Sequence, residues 1–307
     1  MLSSLAILGS AKSWHVAELL KACSSQNICC SVIDWGTIGS SADSRGERFR
    51  PASLHNADAI LVRTMPAGTL EQVISRMDML ARLSNRGSVV LNNPKSLESA
   101  IDKYVTTTRL MDAGIPVPRS AIVQSSTDLR SCANEFGGVA VLKPIFGSNG
   151  QGLVLFEGDA KQVPPFFCEA GVAVAQEHIA NAGWDARILV VGAEAFAMRR
   201  VAADGEWRTT ISCGGRAESF TPPKEWLQLA HSAAHAIGAN IAGVDILPGS
   251  DGSPWVLEVN AVPGWQALQT VTQENISAAI LDTIRPVSYT HLRAHETKAN
   301  LVFRIMV

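Results

Sequence analysis

A chain of 307 residues with 47% hydrophobic and 18% charged residues has an ordinary globular composition, long enough to bury a substantial core in two or three modules. Its formal net charge of −2 excludes a broad electrostatic footprint for nucleic acid and leaves room only for a local basic site. Cys23, Cys29, Cys30, Cys132, Cys168 and Cys213 form no C-x-x-C pair or zinc-ligand spacing. No signal-peptide start is present, and no apolar run approaches the roughly 20 residues needed to span a bilayer. A soluble, cytoplasmic protein with reduced thiols, and no nucleic-acid or membrane partner, is expected; homo-oligomerisation is left open.

In chain order, Leu5-Ala6-Ile7-Leu8-Gly9-Ser10 is a short buried strand closing in a Gly-Ser turn, and apolar residues at helical spacing follow from Trp14 to Cys23. Cys30 to Trp35 and Ala59 to Arg63 read as the next strands, so a parallel sheet covered by helices is expected. Gly9-Ser10-Ala11-Lys12 carries one glycine of the G-x-G-x-x-G fingerprint, which rejects a dinucleotide site. Arg63 ends its strand where parallel sheets present ligand-facing groups. A helix over Leu70 to Leu83, a strand over Ser88 to Asn92, a helix capped by Ser96 and a helix carrying Lys103 come next. Pro116 and Pro118 then break the pattern and mark a boundary.

Beyond the boundary the pattern reads as a strand over Ser120 to Val123, a helix from about Ser126, and a strand over Val139 to Pro144. Lys143 precedes Gly147-Ser148-Asn149-Gly150-Gln151-Gly152, which returns into Leu153 to Phe156 as a glycine-rich hairpin. This is not a Walker A loop, which opens a helix, but the backbone N–H groups of such a hairpin can lie over phosphates, with Lys143 placed to meet them. Val172 to Ile179, Asp185 to Val191 and Ala195 to Val201 read as strands, and a helix from Pro223 to Gly238 follows. His231 and His235 lie four apart on it without H-E-x-x-H and read as an ordinary helix face.

Ala242 to Leu247 and Pro254 to Asn260 read as two apolar strands joined by a Pro-Gly-Ser-Asp-Gly-Ser loop. Pairing across that loop brings Asp245 beside Glu258, and alternation puts Asn260 on the same face. Two carboxylates and an amide in an apolar setting suit Mg²⁺ bridging to phosphate oxygens, since burying both carboxylates without a cation is costly.

Lys103, Lys143 with its glycine loop, Gln176-Glu177-His178-Ile179, Asp185-Ala186-Arg187, Arg208, Asp245 and Glu258-Val259-Asn260 come in an order that resembles the ATP-grasp superfamily and, within it, the RimK-like amino-acid ligases, over roughly residues 5–284. The stretch from Arg63-Thr64-Met65-Pro66 to Pro116-Val117-Pro118, with the Pro263-Gly264-Trp265 ending, more narrowly resembles the branch linked to tetrahydromethanopterin one-carbon metabolism. The resemblance implies an α/β ATP-grasp fold: an N-terminal Rossmann-like parallel-sheet domain over 1–100, a central lid subdomain over 101–180, and a C-terminal subdomain with the metal site over 181–285. Residues 286–307 lack amphipathic register and read as a foreign tail.

The resemblance also implies roles. Lys103 and Lys143 would contact ATP phosphates beneath Gly147, Ser148, Gly150 and Gly152, while Gln176, Glu177, His178 and Ile179 would flank adenine and Asp185 would bind ribose. Arg187 and Arg208 would be catalytic, facing the transferred phosphate and the acyl phosphate. Asp245, Glu258 and Asn260 would hold two Mg²⁺ ions, replaceable by Mn²⁺. Thr210 stands where such ligases often carry asparagine, which puts a contact to substrate or metal in question. The implied activity is ATP-dependent addition of L-glutamate to a pterin-like or peptide carboxylate. Arg63, Arg199 and Arg200 are candidates to bind substrate carboxylates. Trp265 offers a face for a flat heterocycle, although packing is its simpler role. A dipeptide ligase or carboxylase of the same fold, and a non-catalytic ATP-binding protein, are the alternatives.

Overall fold

The computed structural model describes residues 2–147, 152–159 and 163–285; Ser148 and Gly150 of the glycine loop, and the tail from 286, lie outside them. The chain opens with β1 (Ser4–Leu8), α1 (Trp14–Ser25), β2 (Cys29–Ile33), a hairpin of β3 (Gly39–Asp43) and β4 (Gly46–Arg50), α2 (Ser53–Asn56), β5 (Ala59–Val62), α3 (Leu70–Asn85) and β6 (Val90–Leu91). β2, β1, β5 and β6 pair in that order as the expected parallel sheet. β1 and β5 are nearly unbroken apolar runs because both faces of the sheet are covered. The β3–β4 hairpin gave no strand signal in the sequence, since its residues are mostly exposed and show no apolar alternation.

α4 (Pro94–Ile101) and α5 (Lys103–Asp112) follow. The cap of α4 is Asn93 rather than Ser96: the Asn93 side chain accepts from the Ser96 backbone N–H at 3.0 Å, with proline at the first helical position. The Ser96 hydroxyl instead donates to the Gly238 carbonyl at 2.6 Å.

β7 (Ser120–Val123), α6 (Ser126–Glu135), β8 (Ala140–Lys143), β9 (Val154–Phe156), α7 (Pro165–Ala170) and β10 (Ala173–Glu177) come next. Their strands form an antiparallel sheet in the order β7-β10-β8-β9. One face, carrying Ala140, Leu142, Ala173 and Ala175, is buried with Leu129 of α6 and Phe167 of α7 in a core of its own. Alternation therefore turns Lys143 and Gln176 to the opposite face.

The remaining elements are β11 (Trp184–Val191), β12 (Glu194–Val201), β13 (Arg216–Ser219), α8 (Lys224–Ala236), β14 (Ile241–Pro248), β15 (Pro254–Asn260), α9 (Gln266–Gln269) and a helical stretch over 276–285. The strands pair antiparallel in the order β13-β12-β11-β14-β15. Ala186, Ile188, Val190, Val244 and Ile246 share a core with Trp226, Ala230 and Ala233 of α8. The other face is divided. Leu189, Val191, Met198 and Ile241 join a core with Leu5, Ile7 and Leu61 of the parallel sheet, whereas Asp185, Arg187, Arg200 and Asp245 occupy the other end of the same face.

Asn92, just after β6, ties the two sheets together. Its amide nitrogen donates to the carbonyls of Ile241 and Ala261, both at 2.6 Å, and its oxygen accepts from the backbone N–H groups of Asn240 and Ile241 at 2.9 and 3.0 Å. Asn92→Ala would orphan these buried groups, each worth roughly 1–3 kcal/mol when unsatisfied. Urea unfolding is expected to show a loss of at least about 3 kcal/mol; a loss below about 1 kcal/mol would contradict the clamp.

Candidate active site

The charged end of the C-terminal sheet is set by a hairpin. The turn at Gly192 and Ala193 pairs Val191 with Glu194, and counting back along the register places Asp185 opposite Arg200. Arg200 grips Asp185 bidentately, Nε to Oδ1 at 2.7 Å and Nη2 to Oδ2 at 2.5 Å, and its Nη2 also lies 2.9 Å from Asp245 Oδ2. Arg187, paired with Asp245 across β11 and β14, donates from Nη2 to Asp245 Oδ2 at 2.8 Å, and its Nε faces Oδ1 of the same carboxylate. Charges thus alternate along the row Asp185, Arg200, Asp245, Arg187. Burial pushes the Asp245 carboxyl up, but Arg187 and Arg200 outweigh it and hold the group below the usual carboxylate range. Gly243 makes room for this arrangement, because a Cβ there would stand 2.9 Å from Arg187 Nη1 and 3.0 Å from the Pro263 side chain.

Asp245 lies opposite Glu258 as the hairpin reading requires, and Asn260 lies opposite Gly243, so all three share one face above a register shift at Asp245 and Ile246. Facing them are two lysines. Lys143 is buried at the end of β8 and donates to Gln176 Oε1 at 2.6 Å, while Gln176 is held in turn by a 3.2 Å bond to the Ser120 hydroxyl. Burial lowers Lys143 to about 8, with Lys103 adding to the depression and Glu258 and Asp245 opposing it. Lys103 opens α5 and donates to the Gly147 carbonyl at 2.9 Å. Burial also lowers its pKa, against the pull of Glu258 and Asp102. Gly147 and Gly152 both abut Pro144, and Gly152 has φ of +75°, a conformation that favours glycine at the foot of the loop.

Several expected residues are placed differently. Asp185 is 2% exposed with both oxygens on Arg200, which does not fit a ribose contact. Arg200 is buried between two carboxylates, so it is part of the ion row and not an open substrate cation. Arg199, one residue away and hence on the reverse face, pairs with Glu218 and lies 5.5 Å from the Trp184 ring centre. Arg208 is engaged bidentately by Glu206, at 3.0 and 2.7 Å. The Glu177 side chain is taken by Arg119, and its N–H by the Arg119 carbonyl. His178 lies edge-on to Trp207, and the Ile179 carbonyl accepts from Asn181. Trp265, by contrast, takes the packing role favoured for it, fully buried against Trp14, His15 and Arg63 with no face for a ligand. The Thr210 hydroxyl is buried without a hydrogen-bond partner among the described residues.

The partners Glu206 and Arg119 escaped the sequence reading. Arg200's pairing with Asp185 was readable in principle from the two-residue turn once its position was known.

The donor set fits a hard cation in part. The Glu258 side chain makes no hydrogen bond or ion pair to any described residue, although it faces two ammonium groups. The Asn260 Oδ1 accepts from the Val262 N–H at 2.8 Å and, like any amide oxygen, keeps a second lone pair. Asp245 is already offset by two guanidiniums, so Glu258 and Asn260 carry the fit.

Lys143, buried at a strand end just before the glycine loop, and the half-buried Lys103 thus face the Glu258 carboxylate and the Asn260 amide at a hairpin end. Residues 100–284 match the RimK-like ATP-grasp domain family. The tetrahydromethanopterin:alpha-L-glutamate ligase of Methanosarcina acetivorans is 32% identical over 262 residues, covering 78% of this chain and 80% of the relative. A probable alpha-L-glutamate ligase of Haemophilus influenzae is 32% identical over 240 residues, covering 76% and 78%. Among solved structures, the ATP-grasp ligase PsnB complexed with a phosphomimetic variant of its minimal precursor, Mg and ADP is similar at TM-score 0.72 and 20% identity, covering 94% of this chain and all of that one. The chain belongs to the RimK-like ATP-grasp family and is a carboxylate–amine ligase that uses ATP.

Arg200→Met would leave two buried carboxylates short of their cation, an arrangement that costs about 3–5 kcal/mol. Urea unfolding is expected to show that loss, and adding Asp185→Asn should recover part of it. A double variant no more stable than the single one would break the pairing argument.

Proposed function

We propose that this ligase joins L-glutamate to a small pterin-like or peptide carboxylate through an acyl phosphate. The observation that carries the reading is the carboxylate of Glu258 facing the ammonium groups of Lys103, bonded to the Gly147 carbonyl, and Lys143. The names of the curated relatives support glutamate as the amino acid.

Both the attacking carboxylate and the ATP γ-phosphoryl group are anionic, so the site must offset their repulsion and the charge of an in-line transition state. Lys103 and Lys143 contact the ATP phosphates. Arg187, held by Asp245, faces the transferred phosphoryl group, and phosphate competes with Glu206 for Arg208. Glu258 and Asn260 would hold Mg²⁺, which when bound neutralises phosphate charge.

In the first step an acceptor carboxylate oxygen bonds to the γ-phosphorus while the bond to the bridging oxygen breaks, releasing ADP. The glutamate amine then attacks the acyl carbon, phosphate departs with the bonding pair, and the amine loses a proton to give the amide. Incubation with ATP, Mg²⁺, a panel of acceptors and each amino acid separately is expected to give a glutamyl-mass adduct only with glutamate. Equal adducts with neutral amino acids would sink the assignment while leaving the ligase in place.

Glu258→Gln keeps shape and removes charge, so turnover is expected to fall on the order of 10²-fold or more with the fold intact. Unchanged turnover would remove Glu258 from the site. The Lys143 ammonium, lowered to about 8, is lost as pH rises through that value. kcat/KM for ATP should therefore decline above about pH 8, and Lys143→Arg, charged throughout this range, should abolish that limb. A limb that persists in the variant would show that another group titrates there.

A further inference from the structure

The cations around the site are nearly all committed. Arg187 and Arg200 hold Asp245, Arg208 holds Glu206, Arg199 holds Glu218, and Lys143 is bonded to Gln176. Arg63 is different. It follows β5 at the carboxyl end of the parallel sheet, where open α/β sheets bind ligands, and only 6% of its surface is exposed. Yet none of its side-chain nitrogens makes a hydrogen bond or ion pair to a described residue, and its Nε is wholly enclosed without a partner. A buried guanidinium left uncompensated is costly, so a fold that keeps one has a use for it.

Its surroundings hold it without neutralising it. The guanidinium carbon lies over the Trp265 ring, 4.6 Å from its centre, a cation–π contact that holds the group without neutralising its charge. Trp265 is fixed in turn, because its backbone N–H donates to His15 Nε2 at 2.9 Å. Burial, with the Arg63 charge adding to it, lowers His15 to about 4, so at neutral pH the imidazole is an uncharged acceptor and does not compete with Arg63 for an anion. Arg63 also lines a small, partly open cavity of about 10 Å³ with Asn92 and Ala261, which holds no more than a water molecule, so an anion meets the guanidinium at the 6% of the residue's surface that is exposed and not in this cavity. Ala261 directly follows Asn260, so Arg63 backs the strand end that carries the amide of the site.

We infer that Arg63, lying over Trp265 beside the Asn260 end of β15, is a binding residue for a substrate carboxylate that is not the one phosphorylated. This rests on the ligase reading above and deepens it. The carboxylate belongs either to the incoming amino acid or to the acceptor, and the guanidinium edge suits both bidentately.

Binding to the full-length chain, saturated with ATP and Mg²⁺, separates the sources by calorimetry with L-glutamate, L-glutamine and succinate, the last a carboxylate stand-in for an acceptor without an amine. Arg63→Met is expected to weaken L-glutamate or succinate binding at least 10-fold, leave ATP affinity unchanged, and hold or raise Tm, because an unpaired buried charge is removed. Loss confined to L-glutamate assigns the amino acid; loss confined to succinate assigns the acceptor. Arg63→Lys keeps the charge but not the fork, and is expected to weaken the same ligand by about 10-fold even if the methionine variant fails to fold. Undiminished affinity for both ligands in either folded variant overturns the inference. The wider reading fails on a separate result, the absence of a glutamyl product from the wild-type enzyme.

Discussion

Two carboxylates, Asp185 and Asp245, are buried on the inner strands β11 and β14 of a sheet whose other face packs an apolar core against α8, and the C-terminal half of the molecule depends on how their charge is met. Each lies against a guanidinium. Arg200 lies between them, and Arg187 closes the row at Asp245. Buried ion pairs of this kind add little net stability compared with apolar packing, but once present no member can be removed cheaply. That asymmetry locks the register of three strands. A one-residue slip of β12 against β11 would move Arg200 to the α8 face and leave Asp185 without its cation.

The division of the sheet's inner face follows from the same constraint. Leu189, Val191 and Ile241 continue the charged row into apolar ground and bury it against the parallel sheet, so the site lies at the limit of a core shared by the two sheets. Asn92 adds a polar tie, satisfying four backbone groups across that junction. The middle sheet has a separate core and contributes through its opposite face, where Lys143 and Gln176 point. Four cations, Lys103, Lys143, Arg187 and Arg200, then stand against three carboxylates, Asp185, Asp245 and Glu258.

Much of this was legible along the chain. The parallel sheet announced itself in the unbroken apolar runs of β1 and β5, and the Asp245–Glu258 pairing followed from two apolar strands and a turn-rich loop. The β3–β4 hairpin was not legible, because Phe49 is its single buried residue and one apolar side chain sets no alternation. The cap of α4 was misread because Asn93 and Ser96 are both good cap residues, and only the distant Gly238 carbonyl draws the serine away.

The sequence by itself determined which residues bear chemistry: local patterning depends on neighbours two to four positions apart, and acids or lysines inside apolar strands are visible at that range. Only the tertiary structure decided what those residues are paired with. Asp185 met Arg200 instead of open space, Arg199 was turned to the reverse face while Arg200 entered the site, and Trp265 was sealed under Arg63. Pairing of buried charge is settled by which segments come together across long stretches of chain, and in a low-dielectric interior the nearest opposite charge dominates over any preference written locally.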